Sequence, residues 1–171
     1  MNILNHYNES IVKYDLINKF NYKTLNKIPK LKFITLSFKL KKCDVKSLVS
    51  SLAALQLITY QKGILTTSKI SNISLKIRQG QPVGCKLTLR KSKMNFFLTK
   101  LINKNFSQQI LSPQKSCNLF SVKLSNVLIF NELEQNYQFF NNLSNLNVNI
   151  GTTDCTFNEF VFLLKSYKLS A

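Results

Sequence analysis

The chain has 171 residues, enough for one domain with a substantial core, and its 44% apolar content excludes a disordered polypeptide. No stretch reaches the roughly 18 consecutive apolar residues of a membrane-spanning helix. The 24 Lys and Arg against 7 Asp and Glu leave a net charge of +17. A compact domain so charged repels itself unless a polyanion neutralises it, which points to RNA, DNA or an anionic membrane surface.

Residues 3 to 20 are predicted as an amphipathic helix, with Leu4, Tyr7, Ile11 and Ile17 near helical spacing. Glu9 and Asp15 interrupt any transit-peptide pattern, and no Arg precedes Arg78, so a folded helix is expected at this end. Pro29 breaks the chain. From Leu31 to Leu40 the residues alternate, Ile34, Leu36, Phe38 and Leu40 on one face and Thr35, Ser37 and Lys39 on the other, which predicts a half-buried strand. Asp44 is placed to cap a helix over Val45 to Thr59, with Val45, Leu48, Leu52 and Leu55 inward.

A short strand is expected near Ile64 to Thr67. A polar, basic run follows through Ser68, Lys69, Ser71, Asn72 and Ser74, and Gly80, Gln81 and Pro82 signal a turn. The strand Val83 to Leu89 alternates again, with Val83, Cys85, Leu87 and Leu89 on one side and Gly84, Lys86, Thr88 and then Arg90 on the other. Residues 92 to 103 are predicted as a helix with Met94, Phe97, Leu98 and Leu101 inward. Residues 104 to 118 carry no periodic signal. Leu119 to Phe130 is strand-like with one break in alternation, and Leu146, Val148 and Ile150 form a short strand. Thr156 and Glu159 match a capping box that opens a last helix to about Tyr167. Helices and short-linked strands in this order predict an α+β fold with a largely antiparallel sheet, residues 1 to 171 forming a single domain.

The chemistry follows from the strand faces. Thr35, Ser37 and Lys39, with Lys86, Thr88 and Arg90, offer hydroxyls and cations that suit phosphate oxygens and ribose 2′-hydroxyls, although an ordinary solvated face has a similar composition. The 68 to 84 segment carries Lys69, Lys76 and Arg78 and is either a loop that reaches RNA or a flexible linker that happens to be basic. Cysteines at 43, 85, 117 and 155 form no C-x-x-C pair and the single histidine is His6, so neither a metal site nor structural disulfides are expected. Cys85 lies on an apolar face, as a small core residue does. Nucleophile-elbow, Walker and Rossmann patterns are absent. The acids Glu9, Asp15, Asp44, Glu132, Glu134, Asp154 and Glu159 form no paired set suited to metal-dependent cleavage, so no catalysis and no cofactor are expected. The abundance of Asn, Lys, Ile, Phe, Leu and Tyr matches an AT-rich genome such as that of a mitochondrion, a plastid or a reduced bacterium.

The stretch KIRQGQPVGCKLTLR, Lys76 to Arg90, resembles the large-subunit ribosomal protein L-five family, the proteins that bind 5S rRNA. FNY at 20 to 22, IPKLKFITL at 28 to 36 and Gln61-Lys62 add weaker matches in the same order. Residues 1 to 103 carry most of the likeness, and 119 to 171 resemble the family loosely. The resemblance implies a curved antiparallel sheet with helices packed on one face and a long basic loop between two strands. It also implies a structural role in the central protuberance of the large subunit. On it, Ser37, Gln61, Lys62, Thr88 and Arg90 become expected rRNA contacts, and Lys86 joins them from the strand pattern. The loop with Ser68, Lys69, Lys76, Arg78, Gly80 and Pro82 is expected to reach P-site tRNA. The remaining implied partners are 5S and large-subunit rRNA, neighbouring large-subunit proteins, and a small-subunit head protein across a bridge. The implied location is a mitochondrial ribosome, organelle-encoded, with a plastid or an AT-rich bacterium as the alternative. Ser37 stands where many members carry Asn and Gln81 where an aromatic is common. The Arg-rich segment usual after the third helix has no counterpart between Asn103 and Asn118. Two other readings accompany this one: an intron-associated nuclease and an RNA-binding module that works outside the ribosome.

Overall fold

The computed structural model describes residues 3–40, 44–103, 110–116 and 118–169. A helical run opens the chain as α1 (Ile3–Tyr7), a π turn over Asn8–Val12, and α2 (Lys13–Lys19). Strand β1 (Leu31–Lys39) precedes α3 (Val45–Thr59), β2 (Ile64–Thr67), β3 (Pro82–Leu89) and α4 (Lys91–Asn103). The remaining elements are β4 (Ile110–Ser116), β5 (Leu119–Leu124), α5 (Asn131–Glu134), α6 (Tyr137–Phe140), β6 (Leu146–Thr152) and α7 (Phe157–Ser166). The described strands form an open antiparallel sheet in the order β2-β3-β1-β6-β5-β4. The α+β expectation is met.

The chain divides into two compact units, one of Met1–Ile34, Leu89–Val122 and Asn149–Ala171, the other of Thr35–Thr88 and Lys123–Val148. The divisions fall inside β1, β3, β5 and β6. In the first unit α1 meets α4 and α2 meets α7. Its buried side chains include Val12, Leu16, Phe97, Leu98, Phe120, Phe160 and Leu164. The Tyr7 hydroxyl donates to the Ser166 carbonyl at 3.1 Å, and Phe20 meets Phe162 edge to face. In the second unit α3 meets α5 and α6, and Leu36, Phe38, Leu55, Ile58, Leu87 and Leu133 are buried. Each such side chain, fully buried, contributes roughly 1.5–3 kcal/mol.

Several sequence expectations are corrected. The inward residues of the first helical run are Val12 and Leu16, while Ile11 is exposed and Ile17 half-buried. The π turn is the cause: it lengthens one step between buried-side positions to five residues, Tyr7 to Val12, and shifts the face by one. Val45 is 75% exposed; burial along α3 starts at Leu48 and runs through Ser51, Leu55 and Ile58. Asp44 occupies the N-cap position, but its side chain makes no cap bond, and its carbonyl accepts the Ser47 hydroxyl instead (2.8 Å). The silent stretch 104 to 118 contains β4. The strand predicted to Phe130 stops at Leu124, and Glu132 and Glu134 lie in the short helix α5. Cys43 and Cys117, read in the sequence, lie outside the described residues.

Where α7 begins, the capping box forms as predicted. The Thr156 N–H and hydroxyl donate to the Glu159 carboxylate at 2.7 and 2.8 Å. Burial pushes the Glu159 carboxyl up, but the two Thr156 bonds counter it and the group is held below its ordinary value. A carboxyl lowered on folding contributes stability above its unfolded pKa, and that contribution is lost as pH falls through the folded value. Glu159→Ala is therefore expected to cost about 1 kcal/mol at neutral pH. In urea titrations, its deficit should shrink on acidification; a deficit independent of pH would contradict the assignment.

Candidate nucleic-acid interface

Period-two alternation in β1 and β3 sorts the second unit into two chemistries. Leu36, Phe38, Cys85 and Leu87 are buried, and the Cys85 thiol donates to the Ser51 hydroxyl of α3 at 3.3 Å. Burial pushes the Cys85 thiol above its ordinary pKa, so it behaves as the core residue its spacing predicts. On the opposite side Lys39, Lys86 and Thr88 are exposed, with Thr35 and Ser37 half-buried. β1 and β3 are neighbours in the sheet, so Ser37, Lys86 and Thr88 share one polar, cationic surface.

The end of α3 adds to that surface. Tyr60 closes the helix in the left-handed conformation (φ 54), which turns the chain and delivers Gln61 and Lys62 to the start of β2. The Gln61 amide donates to the Thr88 carbonyl at 3.3 Å, and Ile64 pairs with Lys86 in the β2–β3 ladder. Five of the six residues expected to touch rRNA, Ser37, Gln61, Lys62, Lys86 and Thr88, thus gather in one unit. Arg90 does not join them: it follows β3 into the first unit, where it is exposed with its guanidinium carbon 5.6 Å from the centroid of the Phe33 ring.

Two glycines in the Lys76 to Arg90 motif have specific tasks. Gly80 turns with φ +81, a conformation L side chains rarely adopt. Gly84 lies where a Cβ would collide with the Phe38 carbonyl oxygen, so only glycine lets β3 approach β1 there. Pro82 sits at the register shift between Thr66 and Thr67, where a missing N–H does least harm.

The basic segment between β2 and β3 is a built hairpin extension, not a slack linker. Its base closes through Ser68 N–H to the Gln81 carbonyl and Gly80 N–H to the Ser68 carbonyl, both 2.9 Å. Asn72 and Ile77 exchange backbone bonds of 2.9 and 3.0 Å, and the Asn72 side chain accepts from the Ser74 hydroxyl and the Leu75 N–H. Gln81 accepts the Arg78 N–H at 3.0 Å and so braces the loop from within. Lys69, Lys76 and Arg78 are all exposed, and Ile73 at the tip is 93% exposed.

Sequence reasoning missed residues that the sheet adds. In the second unit, Lys123 is exposed and Asn147 half-buried, each at a polar position between buried residues of β5 or β6. The signal was the same alternation, read for its buried members alone. Two of the acids serve structure: Asp154 accepts from the Asn118 amide at 2.9 Å, and Glu159 caps α7. Among the described residues no three His, Cys, Asp or Glu side chains gather to hold a metal, and no described helix is long and apolar enough to cross a membrane.

Relatives with full-length similarity decide the family. Large ribosomal subunit protein uL5m of Reclinomonas americana is 33% identical over 177 residues, covering 99% of this chain and 97% of the relative. The uL5 protein of Nitrosomonas europaea is 32% identical over 174 residues, 97% of this chain and 96% of its own. The chain belongs to the uL5 family. The uL5 protein of Geotalea uraniireducens is 34% identical over 172 residues, with 94% and 93% covered. No family model matches the chain. Membership makes this a structural protein of the large ribosomal subunit, with rRNA and other ribosomal proteins as its surroundings, and not an enzyme.

Two substitutions test the geometry. Gly84→Ala is expected to destabilise the fold by about 1–3 kcal/mol through overpacking against β1, measurable by urea denaturation. Gln81→Ala should leave global stability within about 0.5 kcal/mol while speeding hydrogen exchange at the Arg78 amide. An unchanged exchange rate would show that the side chain does not brace the loop.

Proposed function

We propose that this uL5-family chain, with residues 1 to 171 acting as a single ribosomal-protein domain, binds 5S rRNA or large-subunit rRNA in the central protuberance of a mitochondrial ribosome. The supporting observation is the surface on which Ser37, Gln61, Lys62, Lys86 and Thr88 converge. Its exposed Lys62, Lys86 and Thr88 supply cations and a hydroxyl without a competing acid in the motif. Cations on such a face release counterions from a phosphate backbone, and hydroxyls bond ribose 2′-hydroxyls, which distinguish RNA from DNA. Arg90 supplies a further cation from the first unit.

The hairpin extension carrying Ser68, Lys69, Lys76, Arg78, Gly80 and Pro82 reaches the P-site tRNA in this reading. Its internal bonds hold three cations away from the sheet at low entropic cost on binding, since the loop is already ordered. Further partners are neighbouring large-subunit proteins and a small-subunit head protein across the intersubunit bridge. The mitochondrial location rests on the uL5m relative together with the AT-rich residue usage, and organelle encoding on the latter.

Sedimentation of organelle extract tests the assignment: the chain should travel with large-subunit fractions, and its absence from them would overturn the reading. For the contact itself, Arg90→Ala should weaken rRNA binding and reduce the slope of log affinity against log salt by about one unit. An unchanged slope would remove Arg90 from the phosphate contacts.

A further inference from the structure

The first unit holds an aromatic residue on the side of β1 that carries hydroxyls and cations. Phe33 precedes Thr35 and Ser37 in the outward register and is half-buried, whereas Ile34, its neighbour, is fully buried. The cause lies on β6. A Cβ built on Gly151 would stand 2.5, 2.6 and 2.9 Å from three carbons at the tip of the Phe33 ring. Those near-equal distances require that the ring present its face, not its edge, to Gly151. Any larger residue at 151 would lift the ring from the sheet.

Covering a glycine with an aromatic from a neighbouring strand is a recognised way to stabilise a sheet, and it accounts for the inner face of Phe33. It does not account for the cation: the Arg90 guanidinium carbon stands 5.6 Å from the ring centroid. Nor does it explain why the ring keeps exposed surface in a chain of charge +17. A flat ring beside a cation is the arrangement that accepts an unpaired nucleobase, the ring by stacking and the guanidinium through the phosphate or the base plane. Asn149, two positions before Gly151 on β6 and half-buried, adds an amide able to pair with a base edge.

We infer that Phe33, laid flat over Gly151 and flanked by Arg90, is a stacking platform for one unpaired RNA base. This rests on the rRNA reading above and adds to it a mode of contact, base stacking, that phosphate and 2′-hydroxyl contacts do not supply. Stacking discriminates a strand that has bases from one that has none, while backbone contacts do not.

The test compares binding of the full chain to an oligoadenylate of about 12 nucleotides and to an abasic oligomer of the same length, at several salt concentrations. The unaltered chain should prefer the oligoadenylate by about tenfold, the usual scale for one stacked base. Phe33→Leu should abolish that preference with the salt slope unchanged, and Phe33→Tyr should retain it. A purely structural role for Phe33 would weaken binding to both oligomers alike. The chain contains no tryptophan, so Phe33→Trp provides a single indole whose fluorescence should be quenched by the oligoadenylate and not by the abasic strand. Lack of base preference in the unaltered chain, or its survival in Phe33→Leu, would overturn the platform. Failure of the unaltered chain to bind either oligomer in a salt-dependent way would overturn the rRNA reading, and the platform with it.

Discussion

Alternation along β1 and β3 is the constraint from which the rest of the structure follows. Successive side chains in a strand point to opposite faces, so a sequence that alternates apolar and polar residues divides space in two. One side takes Leu36, Phe38, Cys85 and Leu87 into the core, where Ser51 of α3 meets the Cys85 thiol. The other side keeps Ser37, Lys86 and Thr88 at the surface. A shift of one residue in either strand would bury lysine and expose leucine together, so the packing that stabilises the core also sets the position of every polar group on the surface.

That surface is shaped by residues without functional groups. Gly84 lets β3 come close to β1, and Gly80, with its positive φ, closes the base of the hairpin extension where Ser68 and Gln81 meet. The extension then depends on side-chain to backbone bonds, since its exposed tip has little apolar burial to hold it. Asn72 fixes the tip and Gln81 the base. Such bonds are individually modest, about 1 kcal/mol net, but several closing one short hairpin suffice to keep its three cations in a defined place.

The charge of +17 gives the arrangement its direction. The core would fold more favourably with fewer lysines, because like charges on a small body oppose compaction. Retaining them is physically sensible only where a dense anion such as RNA offsets the repulsion. A structural protein of the large ribosomal subunit has that environment throughout its working life.

The sequence by itself determined the class of fold, the inward face of β3 and α4, the capping box at Thr156, and the family through Lys76 to Arg90. These are local properties: strand alternation, helical spacing and a four-residue cap are written in adjacent residues and need no distant partner. Tertiary structure alone decided the rest. The π turn moved the buried face from Ile11 to Val12, because an extra residue in a turn leaves no mark on composition. Strand β4 arises in a stretch without periodicity, since pairing with β5 supplies what the residues do not signal. The candidate contacts were legible as types, hydroxyl and cation on one face, but their grouping was not. Gln61 reaches Thr88 across 27 residues, and Arg90, two positions beyond Thr88, belongs to the other unit beside Phe33. Proximity between strands is set by sheet order, and sheet order is a property of the whole chain.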